Sequence, residues 1–380
     1  MSQFSLACSV YRGGTSRGLF FQKKDLPQDL DLQRKIFIHG IDAYNPSQIN
    51  GLGSGTSHTS KVVVVAPSTY EEADVDYTFY QIGIGEEIVD DHGTCGNLVA
   101  AVGAFAIDEG LVITDTDSSV VTVSVYNTNI KKLFRLQVPV LNGKAKVSGD
   151  YLMPGVVTPG AKVIVDILNP GGCKTGKTLP SEATIMLKVN QSIYETSFVD
   201  VINPFVYVSA DSLGLTANDL YSDLDRNSEL QYVLEEIRCR AAVASNIVET
   251  LEEGRNLPSI PKIAIVMEPQ DYVTRDGREI KKEEVDICAK MVSMGRFHRT
   301  FAASGLYNLA AALLLKGTVP NKCNGKMHEI DERLVRIGHP EGIVNVRVSL
   351  TEDRKDIAFV GMDRTARKIM KGELFIPNHI

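Results

Sequence analysis

Hydrophobic positions along this chain mostly alternate with polar ones or run together in short blocks, and Gly, Pro, Asn and Asp bound the blocks. That texture predicts strands. The early part of the chain contributes "FSLACSVY", "GLFF", "KVVVVAP", "VDYTFYQIGI", "SVVTVSVYN" and "LFRLQVPVL". The later part contributes "KVIVDIL", "ATIMLKV", "TSFVDV", "FVYVSA", "KIAIVM", "VDICAKMVS", "LVRIGH", "IVNVRVSL" and "DIAFVGM". Four stretches read as helices instead. "DLQRKIFIHGIDA" is one, and "NSELQYVLEEIRCRAAVASNI" is long and amphipathic. "GNLVAAVGAFAIDEG" and "SGLYNLAAALLLKG" are small and apolar nearly all round, so both are predicted to be buried.

The last two helices can be laid on each other. Each opens on small residues and Gly, continues in Ala-rich turns and ends at Gly. Cys95-Gly96-Asn97 opens the first and Ala303-Ser304-Gly305 the second. The pattern predicts two similar α+β domains related by duplication, residues 1–183 and 184–380, joined near "KTLPSE", with the two helix N-termini facing a shared cleft.

Composition narrows the class. The 380 residues suffice for about two domains and a large core. A net charge of −7 gives no footprint for nucleic acid and no polybasic membrane patch. No apolar run approaches the roughly 20 residues of a membrane span. "MSQFSLACSVYRGG" lacks the parts of a signal peptide. The six cysteines show no C-x-x-C and read as reduced thiols of a cytoplasmic protein. The seven histidines show no H-x-x-x-H or H-E-x-x-H, so no metal is expected.

One motif points elsewhere. "NPGGCKTGKT", residues 169–178, fits the phosphate-loop pattern G-x-x-x-x-G-K-[ST]. That pattern binds phosphate only where a strand feeds the loop and a helix starts at the Lys-Ser/Thr. Here "AKVIVDIL" supplies the strand, but Pro180 biases Leu179 away from the α region, and "ATIMLKV" alternates like a strand. The expectation is strand–loop–strand, with lysines and glycines suited to some other anion.

Four stretches rich in Gly, Ser and Thr carry the candidate chemistry: "YRGGTSRG", "NGLGSGTSHTSK", "DDHGTCGN" and, fourth, "NPGGCKTGKT". Such loops present N–H and hydroxyl donors to carboxylates or phosphates. Cys95 stands at the predicted start of a buried helix, where the dipole favours thiolate. Lys61 ends the second loop and enters "KVVVV", where desolvation favours the neutral amine. His58 and His92 lie in the same loops and read as surface histidines able to carry a proton.

Together "RGGTSRGLFF", "GLGSGTSHTSKVVVV", "CGNLVAAVGAFAIDEGLV", "TGKTLP", "VDVINPFVYV" and "DRTARKIMKG" resemble the PrpF family, over Arg12 to about Gly372. That family includes methylaconitate, methylitaconate and aconitate isomerases and oxalomesaconate tautomerase. The resemblance implies a diaminopimelate epimerase-like α+β fold: two pseudo-symmetric domains, each a curled sheet around a central helix. It places the family's catalytic lysine and cysteine on Lys61 and Cys95, and the asparagine of its "NP" turn on Asn203. "TGKTLP", with Lys177, resembles a cleft-lining loop. The family's usual lysine in the first loop is Arg17 here, the small or polar residue of the fourth loop is Cys173, and "FAASG" lacks the second thiol of two-thiol racemases.

What the resemblance implies is cofactor-free proton transfer on a small unsaturated di- or tricarboxylic acid, by an allylic shift or cis–trans isomerisation. Lys61 and Cys95 would exchange the proton, and the dienolate would be held by Thr15, Ser16, Ser57, Ser60, the Gly96-Asn97 start of the helix and the Ser304-Gly305 turn. A keto–enol tautomerase acting on an oxo acid and a silent carboxylate-binding protein are the alternatives. A homo-oligomer is compatible with this reading.

Overall fold

The computed structural model describes residues 2–219, 221–293, 295–324 and 332–380. The chain divides into two compact units, Met1–Leu168 with Met362–Ile380, and Asn169–Gly361.

In the first unit, β1 (Gln3–Gly13) and β2 (Ser16–Gln22) form a hairpin, with Gly14 at φ +53° in its turn. A side chain at Gly14 would strike Asn97, so the turn needs glycine for space as well as for its left-handed backbone. Helix α1 (Leu30–Ile41) is capped by Asp29, which accepts from the N–H groups of Asp31 and Leu32. Strand β3 (Lys61–Pro67) lies parallel to β2, and β4 (Val75–Ile82) pairs antiparallel with β3. After α2 (Val99–Asp108) come β5 (Val120–Asn127), β6 (Lys132–Leu141) and β7 (Lys162–Leu168).

Why "KVVVV" is apolar without alternation follows from what covers it. Val62 and Val64 share a core cluster with Phe21 and with Ile36, Phe37 and Ile41 of α1. On the opposite pleat of β2, Phe20 packs with Phe105 of α2, their rings 5.5 Å apart. The sheet is therefore buried on both faces. Helix α2 packs on β1, β3, β5, β6 and β7, and every residue from Val99 to Ile107 is buried. An apolar run with no polar face is what a helix inside a curled sheet requires.

The second unit repeats this plan. Its strands are β8 (Ile185–Val189), β9 (Ser192–Val201), β10 (Asn203–Ser209), β11 (Lys262–Met267), β12 (Ile287–Ser293), β13 (Glu332–His339) and β14 (Gly342–Leu350). Amphipathic α3 (Ser228–Ala244) packs Leu230, Leu234, Ile237 and Ala241 onto a cluster with Val206, Val208, Ile263 and Ile265. The other face of β10 carries Phe205 and Tyr207 toward α4 (Ala303–Leu314), which is buried from Gly305 to Leu314. Strand β15 (Ile357–Pro377) pairs with β14 over its first residues. Its later residues pair with β1, from Gly13↔Ala366 to Gln3↔Pro377. "DRTARKIMKG" lies within this single strand.

No helix begins at Lys177-Thr178; the next strand after the loop is β8. Among the described residues, no helix is long and apolar enough to cross a membrane.

Candidate active site

Lys61 is the first residue of β3, and its side chain is buried. Its Nζ donates to Oε1 of Gln81, the residue directly opposite in the β3–β4 register, and stands 5.1 Å from the centroid of the Phe79 ring. Gln81 is oriented in turn. Its Nε2 donates to the carbonyls of Ser60 at 2.8 Å and Ser57 at 3.3 Å, both in the Ser/Thr loop that leads into β3. Burial lowers the Lys61 pKa from its ordinary value, and the charge of a Cys95 thiolate opposes that shift. Lysine and cysteine thus lie close enough in the first unit for a thiolate's charge to act on the amine.

Cys95 sits one turn ahead of α2, and its carbonyl accepts the Val99 N–H. The following residues, Gly96, Asn97 and Leu98, form the turn that leads into the helix, whose first N–H groups have no partner inside it. The half-buried Cys95 Sγ is 3.8 Å from the hydroxyl of buried Ser16 at the start of β2. Thr15 is exposed, and its Oγ1 accepts from Asn97 Nδ2 at 3.0 Å. Asn97 Oδ1 accepts from Arg364 Nε, also at 3.0 Å. The β1–β2 turn, the start of α2 and β15 are therefore joined through one asparagine.

The rest of the Ser/Thr loop is largely committed to itself. Ser60 is fully buried, and its hydroxyl lies within hydrogen-bond distance of Gln48 Oε1 and the Thr56 carbonyl. Ser57 is exposed. Arg17 binds the loop from the side: its N–H donates to His58 O and its Nη2 to Leu52 O. His58 and His92 are both exposed. Asp90, Asp91 and His92 could offer three ligand atoms to a cation, but Asp90 Oδ1 already takes the His92 N–H at 2.9 Å and faces its Nδ1 at 2.8 Å. The trio reads as a surface turn.

In the second unit, the loop with the phosphate-binding spelling already holds an anion, supplied by the chain itself. Buried Asp200 of β9 places Oδ2 2.7 Å from the N–H groups of both Lys174 and Thr175 and 2.9 Å from the Thr175 hydroxyl. Thr178 donates its hydroxyl to Asp356, and Lys177 is exposed on the same loop. Cys173 Sγ lies 3.4 Å from the Pro170 carbonyl. Asn203 opens β10 just after Ile202, whose φ of +63° is strained for a β-branched residue. That turn is held from α4: Asn308 Nδ2 lies within 3.1 Å of the carbonyls of Val199, Val201 and Asn203, while Tyr207 donates to its Oδ1. Gly305 at the start of α4 lies where a Cβ would meet the Phe205 and Phe301 rings at 2.6 Å, and Ser304 beside it is half-buried.

Sequence reasoning did not single out Gln81, Arg364, Asp200 or Asn308. Gln81 was accessible through the register of the β3–β4 hairpin; the other three meet their partners only through tertiary packing.

The sequence pattern of the PrpF family, described as PrpF protein, matches residues 3–377. The chain is 36% identical to the 3-methylitaconate isomerase of Eubacterium barkeri, covering 98% of each. It is 30% identical to the 2-methyl-aconitate isomerase of Shewanella oneidensis, over 99% of this chain and 98% of that one. Its structure is similar to the crystal structure of methylitaconate-delta-isomerase, with a TM-score of 0.92 and 35% identity over 99% of this chain and 97% of that one.

Proposed function

Because this chain belongs to the PrpF family and is an isomerase, we propose that it moves a proton along the carbon skeleton of an unsaturated di- or tricarboxylic acid, with Lys61 and Cys95 handling the proton. The observation that carries this reading is a buried amine, held by Gln81 at the start of β3, within electrostatic reach of the thiol that stands one turn ahead of α2. An amine and a thiol placed together give the proton donor and acceptor that general acid–base catalysis at carbon needs.

In the proposed reaction one of the pair takes a proton from the carbon allylic to a carboxylate. The electron pair left behind delocalises over the double bond into that carboxylate as a dienolate. The other group returns a proton at the far end of the allyl unit, or at the same carbon after rotation, so that atoms and charge balance without a cofactor. Dienolate charge requires donors fixed in advance, each worth about 3 kcal/mol in comparable sites. The N–H groups of Gly96 and Asn97, with the hydroxyls of Thr15 and Ser16, offer such donors beside Cys95. In the second unit, Lys177, Asn203 and the Ser304-Gly305 turn offer groups suited to a carboxylate. The names of the relatives point to methylitaconate and 2-methylaconitate as the acids to offer first.

The test is proton NMR in deuterium oxide, with a metal chelator present, on methylitaconate, 2-methylaconitate, cis- and trans-aconitate and oxalomesaconate. The expected result is isomer conversion with deuterium at the allylic carbon, abolished in Lys61→Ala and Cys95→Ser. Conversion that survives in both variants would remove these residues from the mechanism. Conversion of oxalomesaconate alone would replace the allylic isomerase by the tautomerase.

A further inference from the structure

We propose that Gln81 is a positioning residue of this reaction, its amide oxygen holding the Lys61 amine at the mouth of β3 through a neutral hydrogen bond. The proposal rests on the reading above that Lys61 carries the proton.

The geometry leaves the Gln81 amide one useful orientation. Its Nε2 faces three carbonyl oxygens, Ser60 at 2.8 Å, Ser57 at 3.3 Å and Ile82 at 3.4 Å. Flipping the amide would turn an oxygen against all three carbonyls and point its N–H groups at the Lys61 amine, so Oε1 is the atom presented to Lys61. Because two of those carbonyls belong to the loop that precedes β3, the amide ties that loop to the lysine. Phe79, two residues earlier on the same face of β4, walls the amine with its ring.

The neutrality of this partner matters chemically. An amine and an ammonium both carry N–H, so an amide oxygen holds Lys61 in the same place before and after it gains a proton. A carboxylate at that position would bind the ammonium far more strongly than the amine and would trap the lysine in its charged form. Among the described residues, Cys95 is the titratable group whose charge acts on Lys61, and it does so in the same direction as a carboxylate would. A second negative charge would therefore reinforce the thiolate and oppose proton release.

The experiment compares pH–rate profiles for allylic deuterium exchange in the wild type, Gln81→Glu, Gln81→Met and Lys61→Ala. In Gln81→Glu, the limb that reports Lys61 is expected to move to higher pH by about one unit or more, whichever side of the optimum it forms. Gln81→Met keeps the length but loses the acceptor, and is expected to lower kcat about tenfold or more with little change in KM. A Gln81→Glu profile superimposable on the wild type would overturn the proposal. Should that variant not fold, Gln81→Met with an unchanged kcat would overturn it equally. Exchange that persists in Lys61→Ala would instead overturn the assignment of Lys61 itself, so the two failures are distinct.

Discussion

At the scale of single residues, Lys61 sets function against stability. Desolvation depresses its pKa below the ordinary 10.5, so at pH values between the two the unfolded chain binds more protons than the folded one. Stability therefore rises with pH through that window, and below it the folded state bears the full cost of a buried ammonium. Replacing the lysine by Met, of similar length and without charge, is expected to stabilise the protein at pH 7 by about 1 kcal/mol. The gain should shrink as the pH approaches 10. Urea unfolding at both pH values measures it, and a Lys61→Met variant less stable than the wild type at pH 7 would show that the site favours the ammonium. Lys61 and Cys95 were both legible in the sequence, since a lysine entering an apolar strand and a Gly-flanked cysteine ahead of an apolar helix are local signals. Gln81 needs strand register. Arg364 reaches Asn97 across 267 residues, and no local pattern announces that contact.

Among the elements, those with an all-apolar surface were the easiest to read. Helices α2 and α4 lack a polar face because curled sheets surround them, and β3 lacks alternation because helices cover both its faces. The loop after β7 shows the limit of motif reading. Its glycines and lysines spell a phosphate site, yet the acceptor that fills its N–H groups is a carboxylate 25 residues beyond Thr175. Two consequences follow from that filling. ATP with magnesium should leave the melting temperature of the wild type unchanged, because the nest is occupied. Asp200→Ala should lower stability by about 3 kcal/mol, since the N–H groups of Lys174 and Thr175 lose their acceptor, and Asp200→Asn should cost less because an amide oxygen still accepts. Thermal melting with and without nucleotide reads both, and stabilisation of the wild type by ATP would restore the phosphate-loop interpretation.

For the molecule as a whole, each unit has its own core, so a perturbation buried in one unit is expected to report first on that unit. The second unit contains such a group. His339, the last residue of β13, is buried, and the desolvation of its imidazolium pushes its pKa down to about 4, against the milder pull of Glu341 and with help from His298 and Arg278. Its Nδ1 accepts the Glu341 N–H at 3.2 Å, a contact that suits the neutral ring and that protonation at Nδ1 would break. From about pH 6.5 down to pH 4 the unfolded chain takes up a proton that the folded chain refuses, so stability falls as the pH falls through this window. By pH 4 the loss from this one residue amounts to about 3 kcal/mol. Carboxylates begin to titrate over the lower part of the same range, so the informative quantity is the difference between the wild type and His339→Gln. That difference should move in favour of the variant as the pH drops from 6.5 to 4. Hydrogen exchange should show the wild-type loss of protection starting within residues 169–361, on the strands β12 and β13 that pair beside His339. A stability difference independent of pH would mean that the buried imidazole accepts its proton without disturbing β13. Loss of protection beginning instead in β1–β7 would place the acid-sensitive group in the first unit.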